Sequence, residues 1–209
     1  MGSSQMTTLT LFDVGETAEV LAGPLKAEAE RQIVAGHYLH SVPSGKTWYV
    51  RFGDAIVVWS IPANKNIGVY LLGHEANVWE LARLWAPDGH EPNLLTKAIA
   101  AAVVALRRME RPHLLVSYAD PNVGHMGGIY RAASWIYDGQ TDETRTWTDS
   151  FGHRVGRRSM HSSKINLTHS EIEAAGWTRI AAEGKHRYVR PLSKRALREF
   201  LARRELRGT

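Results

Sequence analysis

Cysteine is absent from this chain of 209 residues. That excludes a disulfide framework, a thiolate metal cage and a cysteine nucleophile together. Long apolar runs are missing too. None approaches the length of a membrane span, and no stretch reads as a secretory leader. Internal repeats and low-complexity linkers are also lacking. What remains is a globular protein expected in the cytoplasm, with no membrane partner. The length suits one domain with a real core better than two. A hydrophobic content of 44% and a charged content of 22% are ordinary for such a domain. Met1 to Gln5 reads as a cloning remnant, with Met6 the natural start and residues 6–209 the single domain.

What is present in excess is positive charge, net +5, and it is localised. From Lys185 onward Arg187, Arg190, Lys194, Arg195, Arg198 and several later arginines face only Glu199 and Glu205. A second basic stretch holds Arg154, Arg157, Arg158 and Lys164 with His153 and His161. Such clusters attract polyanions by phosphate contact and counterion release. A solvated helix face with no partner explains the composition equally well. Seven tryptophans add candidate stacking platforms, though most belong in a core.

Read in order, Pro24 to Ala35 is a helix opened by proline and closed near Gly36. Trp48 to Phe52 and Ala55 to Ile61 flank Gly53-Asp54 as a hairpin. Gly68 to Leu72 suits a short strand, and Asn77 to Trp85 a central one. Asp88 to Thr96 is a polar loop into an alanine-rich helix, Lys97 to Met109. Gly139 to Ser163 reads as an extended hairpin or a flap. Thr168 to Glu171 has the pattern of a capping box before a short helix, Ser170 to Ala175. Trp177 to Ala181 and His186 to Leu192 are expected to form the last strand pair, before a basic helix over 193–207.

Chemistry is densest between Val116 and Gly139. An apolar strand through Tyr118 is broken at Asp120-Pro121, since proline biases its predecessor away from helix. Gly124, Gly127 and Gly128 then lead into a helix, with Ile129, Ala132, Ala133 and Ile136 as its expected buried stripe. Ser117, Tyr118, Asp120, Asn122, His125 and Tyr130 all fall in this window. A tyrosine can give a proton to a leaving group and a carboxylate can take one from an amine, so Tyr130 and Asp120 are the first catalytic candidates. Against this, Asp120 could be only a turn former and Tyr130 only a packed ring. Ser117 and Tyr118 point to opposite faces of the strand, so only one can face a pocket. His125, at a helix start, suits either phosphate contact, acid–base work or a surface cap.

The run Asn122…Ile129-Tyr130-Arg131-Ala132-Ala133-Ser134-Trp135 resembles the fifth strand and fourth helix of GCN5-related N-acetyltransferases. In that family an asparagine follows the strand and the helix carries a tyrosine that protonates the departing coenzyme A thiolate. The family's Gly-Phe pair is Ser134-Trp135 here. A closer resemblance is to the phage Mom family of DNA-modification proteins, itself acetyltransferase-like. It is carried by SYADP…GHMGGIYRAASWIYDG, His37-Tyr38, WELARLWAPDGHEPN and the late KHRYV, over roughly Ala35 to Leu192.

These resemblances imply an α/β fold, a mixed twisted sheet with helices on both faces. They imply a transferase that adds a carbamoylmethyl group to the exocyclic amine of adenine in double-stranded DNA and so hides it from restriction. The alternative is a conventional acetyl-CoA-dependent N-acetyltransferase for a small amine or peptide. The group donor stays open, with acetyl-CoA the fold-level expectation. Asn93, Thr96 and Asn122 are the cofactor candidates. Gly89, however, is followed by His90, Glu91, Pro92 and Asn93 rather than by the acetyltransferase glycine loop. His37, Tyr38, Asp120 and Tyr130 together suit iron, and metal involvement is part of what the Mom resemblance conveys. Lys185, His186, Arg187 and Arg190 are expected to contact the DNA backbone, with Arg131 and Trp135, one helical turn apart, helping to hold a base. An edge strand is the structural alternative for the Lys185 segment.

Overall fold

The computed structural model describes residues 8–10, 17–152, 154–156 and 168–208. These group into two units. The larger takes Met1–Tyr118, Gly127–Gly139 and Arg187–Thr209, and the smaller takes Ala119–Met126 and Gln140–His186.

The larger unit is built on an eight-stranded sheet of order β1-β2-β3-β4-β5-β6-β11-β7. Its strands are β1 (Thr8–Thr10), β2 (Thr17–Leu21), β3 (Thr47–Phe52), β4 (Ala55–Ser60), β5 (Val78–Trp85), β6 (Leu114–Ala119), β7 (Ile136–Gln140) and β11 (His186–Pro191). Strands β1 to β5 pair antiparallel, whereas β5 and β6 are parallel. The mixed α/β architecture expected from the sequence is therefore what forms.

Strand β4 reads AIVVWS and is buried along its whole length, as a central strand with both faces covered requires. It turns from β3 through Gly53, whose φ of 52° suits the tight hairpin. Helix α3 (Leu94–Glu110) lies against β2, β3 and β4. Ala98, Ala101, Ala102 and Ala105 are buried on it, and their small side chains let it approach the sheet closely. Its C-terminal end is pinned by Glu110, which accepts from Trp48 Nε1 at 2.8 Å and pairs with Lys46 Nζ at 2.6 Å. Helix α1 (Gly23–Gly36) packs Ala29 and Ile33 on Leu21, Tyr49, Ile56 and Val58. A second core cluster joins α2 (Ile67–Leu72) and α6 (Lys194–Arg207) to β5, β6 and β11 through Leu71, Val78, Leu114, Val116, Val189 and Phe200. No helix among the described residues is long and apolar enough to cross a membrane.

Three expectations need correction. The stretch Gly68 to Leu72 is helical, not a strand. Ile67, Gly68, Leu71 and Leu72 are buried while Val69 and Tyr70 face outward, a helical pattern that so short an apolar run does not reveal by itself. The helix after Gly127 is one short turn, α4 (Gly128–Ala132), closed by Ser134 at φ 62°. Ala132 is exposed and Ile136 begins β7, so Tyr130 is the residue this helix buries. The predicted last strand pair does not form either. Strand β11 lies between β6 and β7, while β10 (Thr178–Ala182) pairs with β8 in a different sheet.

That second sheet forms the smaller unit, in the order β10-β8-β9, with β8 (Thr144–Thr148) and β9 (Arg154–Gly156). The hairpin expected after Gly139 is thus present as β8–β9. Its continuation through Arg157, Arg158, His161 and Lys164 lies outside the described residues, as do His153 and the side chain of Arg154. The capping box is realised at α5 (His169–Ala174): Thr168 accepts from Glu171 N–H, and Glu171 Oε2 accepts from Thr168 N–H at 2.7 Å. Trp147 is buried and packs on the His169 ring.

Candidate functional site

The parallel pairing of β5 with β6 stops at Leu81↔Ser117, although β5 runs on to Trp85. Just there β5 carries a bulge. Trp59 pairs with Leu81 and Val58 with Arg83, which leaves Ala82 as the extra residue. A bulge next to the end of a parallel pair parts the strands and leaves backbone groups for a ligand.

Ser117 and Tyr130 meet at this parting. The Ser117 hydroxyl donates to the Leu81 carbonyl at 2.8 Å and lies near enough to the Tyr130 phenol to influence its titration. Both residues are buried. Burial pushes the Tyr130 phenol above its ordinary pKa; Ser117 opposes this, and the charge of Glu80 adds to it. The phenol therefore keeps its proton at neutral pH, so in a proton transfer it is the donor. Its ring is fixed by Trp135 at 5.6 Å and by Tyr188 at 5.2 Å between centroids. Gly127 is needed beneath it, because it has φ 72° and any Cβ there would overlap the Tyr188 ring.

The question of which strand residue turns toward Tyr130 is thereby answered: it is Ser117. Tyr118 faces the other way, packed against the core cluster of α2 and α6, and burial with the nearby Glu80 charge pushes its pKa up to about 12. Glu80, opposite Val116 in the register, thus acts on both tyrosines. Sequence reading passed over it, although it is the only carboxylate in the run Val78 to Trp85.

Also missed was a buried charge cluster. Asp138 is fully buried and accepts from Arg187 Nε at 2.7 Å and from both terminal nitrogens of Arg207, at 2.7 and 3.1 Å. The Tyr70 ring lies 4.6 Å from one guanidinium and 4.4 Å from the other. Arg187 is only 6% exposed. It is therefore withdrawn from the surface role expected of it: it locks α6 to the sheet and presents nothing to a phosphate. Trp135 is likewise corrected. It is 4% exposed, lies beyond the end of α4 rather than one turn along it, and supports Tyr130 instead of offering a stacking face. Arg131 is exposed, with its guanidinium about 6 Å from the rings of Tyr137 and Tyr188. Arg190 is partly buried and donates to the Ala133 carbonyl.

In the smaller unit, Asp120, Asn122 and Lys185 form a clasp. Asp120 Oδ1 accepts from the Asn122 backbone and side chain, and Oδ2 pairs with Lys185 Nζ at 3.0 Å. Asn122 also grips the backbone of Glu183, donating to its carbonyl and accepting from its N–H. The amide of Asn122 is thus fully engaged, which suits loop fixation. His125 is exposed, and its backbone N–H closes the turn onto the Asp120 carbonyl. His186 is half-buried at the start of β11. Partial burial would raise the Asp120 pKa, but hydrogen bonds from Asn122 and Lys185 outweigh it and hold the carboxyl below its ordinary value. A depressed folded pKa stabilises the clasp above the unfolded value of 3.8, and that stability is lost as pH falls through the lower folded value. Amide exchange near Asn122 and Glu183 is accordingly expected to be flat from pH 7 to about 5 once corrected for intrinsic rates, and to rise only below about pH 4. A rise beginning near pH 6 would contradict the ion pair.

Two expected ligand sets can be tested against this geometry. His37 caps α1, its Nδ1 accepts from Leu39 N–H, and its ring stacks on Tyr38 at 4.5 Å. Among the described residues no three His, Asp or Glu side chains gather as a metal group. The set expected for iron draws Asp120 from the smaller unit and His37, Tyr38 and Tyr130 from the larger. At α3 the Thr96 hydroxyl is turned back onto the Asn93 carbonyl at 2.8 Å. The cleft beside it is lined by Gly53, Asp54, Glu91, Pro92, Leu94 and Lys97.

Comparison with solved structures finds a ribosomal-protein-S5-alanine acetyltransferase from Vibrio fischeri, 7% identical with a TM-score of 0.47, covering 90% of this chain and 98% of that one. Another is an acetyltransferase from Bacillus subtilis in complex with CoA, 10% identical with a TM-score of 0.42, covering 84% of this chain and 98% of that one. No curated protein matches. The family model described as the Mom protein family matches residues 21–206, nearly the whole described chain. The chain belongs to the Mom protein family.

Proposed function

We propose that the protein is a transferase that modifies DNA, joining a carbamoylmethyl group to the exocyclic amine of adenine and so protecting the DNA from restriction. The observation that carries this reading is the Tyr130 phenol, buried and neutral beside Ser117 where β5 and β6 part. It is supported by membership of the Mom family.

The new bond joins the adenine nitrogen to a methylene carbon. The nitrogen must lose a proton, and the group that leaves the carbon must gain one. In this scheme the bond from the methylene carbon to its leaving group breaks as the carbon–nitrogen bond forms, and Tyr130 gives its proton to the leaving group. The phenolate so formed takes up, directly or through water, the proton the adenine nitrogen sheds. Acyl transfer would instead give an amide, so the methylene linkage calls for alkyl rather than acyl transfer. Asp120 is a poor base with its depressed pKa, and we assign it to fixing the loop and holding charge. DNA contact falls to the exposed cations, including Arg131 and the outer arginines of α6 such as Arg195, with the half-buried Lys185 adding its charge, and excludes Arg187.

The reading is tested by digesting plasmid from cells that express the protein with restriction enzymes blocked by adenine substitution. Resistance that requires the protein is the expected result. Complete cutting, with soluble folded protein in the cells, would count against it.

A further inference from the structure

Positive charge gathers at one end of the eight-stranded sheet. There the Leu192 N–H, just past β11, donates to the His113 carbonyl, just before β6, at 3.1 Å. Arg111 lies two residues before His113, and Arg190 and Lys194 lie two residues to either side of Leu192. Arg107 and Arg108 occupy the last turn of α3, and Arg195 and Arg198 continue α6. All of these except the half-buried Arg190 are exposed. The segments 107–113 and 190–198 hold seven Lys and Arg residues against one carboxylate, Glu110, which is engaged by Trp48 and Lys46. Adding Glu199, taken by Arg195 and His74, and Glu75, on the loop before β5, still leaves seven against three.

Fold stability explains only part of this arrangement. Arg107 and Arg108 complement the carbonyl end of α3. Lys194 and Arg195 do the reverse. They stand in the first turn of α6, which has no acidic residue, where the helix macrodipole disfavours cations. Arg190 is half out of water near Arg107, and burial and that like charge both push its guanidinium below its ordinary pKa. Cations held against the field of their own fold are relieved when an anion lies across them. Arginine forks suit phosphodiesters in particular, since each can take two oxygens at once. The patch also reaches the candidate site: Arg190 donates to the Ala133 carbonyl at the end of α4, the helix that carries Tyr130.

We propose that Arg107, Arg108 and Arg111, at the end of α3, join Arg190 and the start of α6 in one phosphate track, which holds the backbone of duplex DNA flanking the modified base. The inference rests on the DNA reading above and gives that contact a place on the fold.

Phosphate contacts are read from salt dependence, with no need to know the group donor or target sequence. The full-length protein is titrated onto a fluorescein-labelled duplex of arbitrary sequence, and affinity is measured by anisotropy over a range of KCl concentrations. Circular dichroism checks that each variant is folded. Arg107→Gln with Arg108→Gln should flatten the slope of log affinity against log salt by about two and weaken binding at least about fivefold at physiological salt. Arg111→Asn, which suits the left-handed backbone there (φ 48°), should flatten it by about one. Arg107→Lys with Arg108→Lys keeps both charges and should keep the slope. Arg31→Gln with Lys65→Gln removes the same charge from exposed positions elsewhere on the larger unit and should bind within about twofold of wild type. An unchanged slope in the α3 glutamine pair would overturn the track. So would an equal loss in the Arg31 and Lys65 pair, which would reduce the effect to net charge. Both outcomes leave the DNA reading standing, whereas a wild type that does not bind duplex at low salt removes that reading and the track together.

Discussion

Tyr130→Phe should leave a folded protein whose DNA modification is at least about a hundredfold slower, the usual scale for loss of a positioned general acid. The substitution removes one oxygen. The ring contacts with Trp135 and Tyr188 persist, and Ser117 keeps its bond to the Leu81 carbonyl. The stability cost should therefore be only about 0.5–1.5 kcal/mol, that of one hydrogen bond. Ser117→Ala removes the hydroxyl beside the phenol and should cost less in rate, about tenfold. Both are measured as modified adenine per unit of folded protein. A Tyr130→Phe protein that modifies DNA at nearly the wild-type rate would remove the phenol from the chemistry and reduce Tyr130 to a packed ring.

Asp138→Ala is expected to produce the largest loss of stability, about 3–5 kcal/mol, as when one partner of a buried ion pair is deleted. The carboxylate is fully buried between Arg187 and Arg207, so its removal leaves two guanidiniums facing each other across the Tyr70 ring. Because Arg207 belongs to α6, the helix that packs Phe200 into the core, the damage should reach the whole larger unit. Urea denaturation followed by circular dichroism measures it. A midpoint close to wild type would mean that the guanidiniums find water, and that the cluster is not the lock described above.

Features set by nearby residues were the ones the sequence revealed. The β3–β4 hairpin follows from alternation around Gly53-Asp54, α3 from its alanines, and the α5 cap from Thr168 and Glu171 three residues apart. Features set by distant residues were hidden. Lys185 to Tyr188 has the alternating basic and aromatic pattern of a nucleic-acid strand, yet Arg187 and Tyr188 are buried, because Asp138 lies 49 residues away and Tyr130 and Gly127 lie on another element. Strand β11 takes its place between β6 and β7, which proximity to β10 in the chain does not suggest. Trp135 looked helical until Ser134, with a left-handed backbone that few side chains favour, ended the helix before it. In the candidate site, Tyr130 was legible from its place in the motif, whereas the choice of Ser117 over Tyr118 and the influence of Glu80 required the register of β5 on β6.

The withdrawal of Arg187 and Arg207 also bears on the electrostatics. On the proposed DNA reading, the salt dependence of binding should reflect exposed residues such as Arg195 and Arg198 and be little changed by either buried arginine.

The most direct measurement is the mass spectrum of deoxyadenosine recovered from plasmid DNA of cells expressing the protein. The account predicts a second adenine nucleoside, heavier by one carbamoylmethyl substituent on the exocyclic nitrogen, present with the wild-type chain and missing with Tyr130→Phe. Unmodified deoxyadenosine alone, in cells that hold soluble folded wild-type protein, would contradict it.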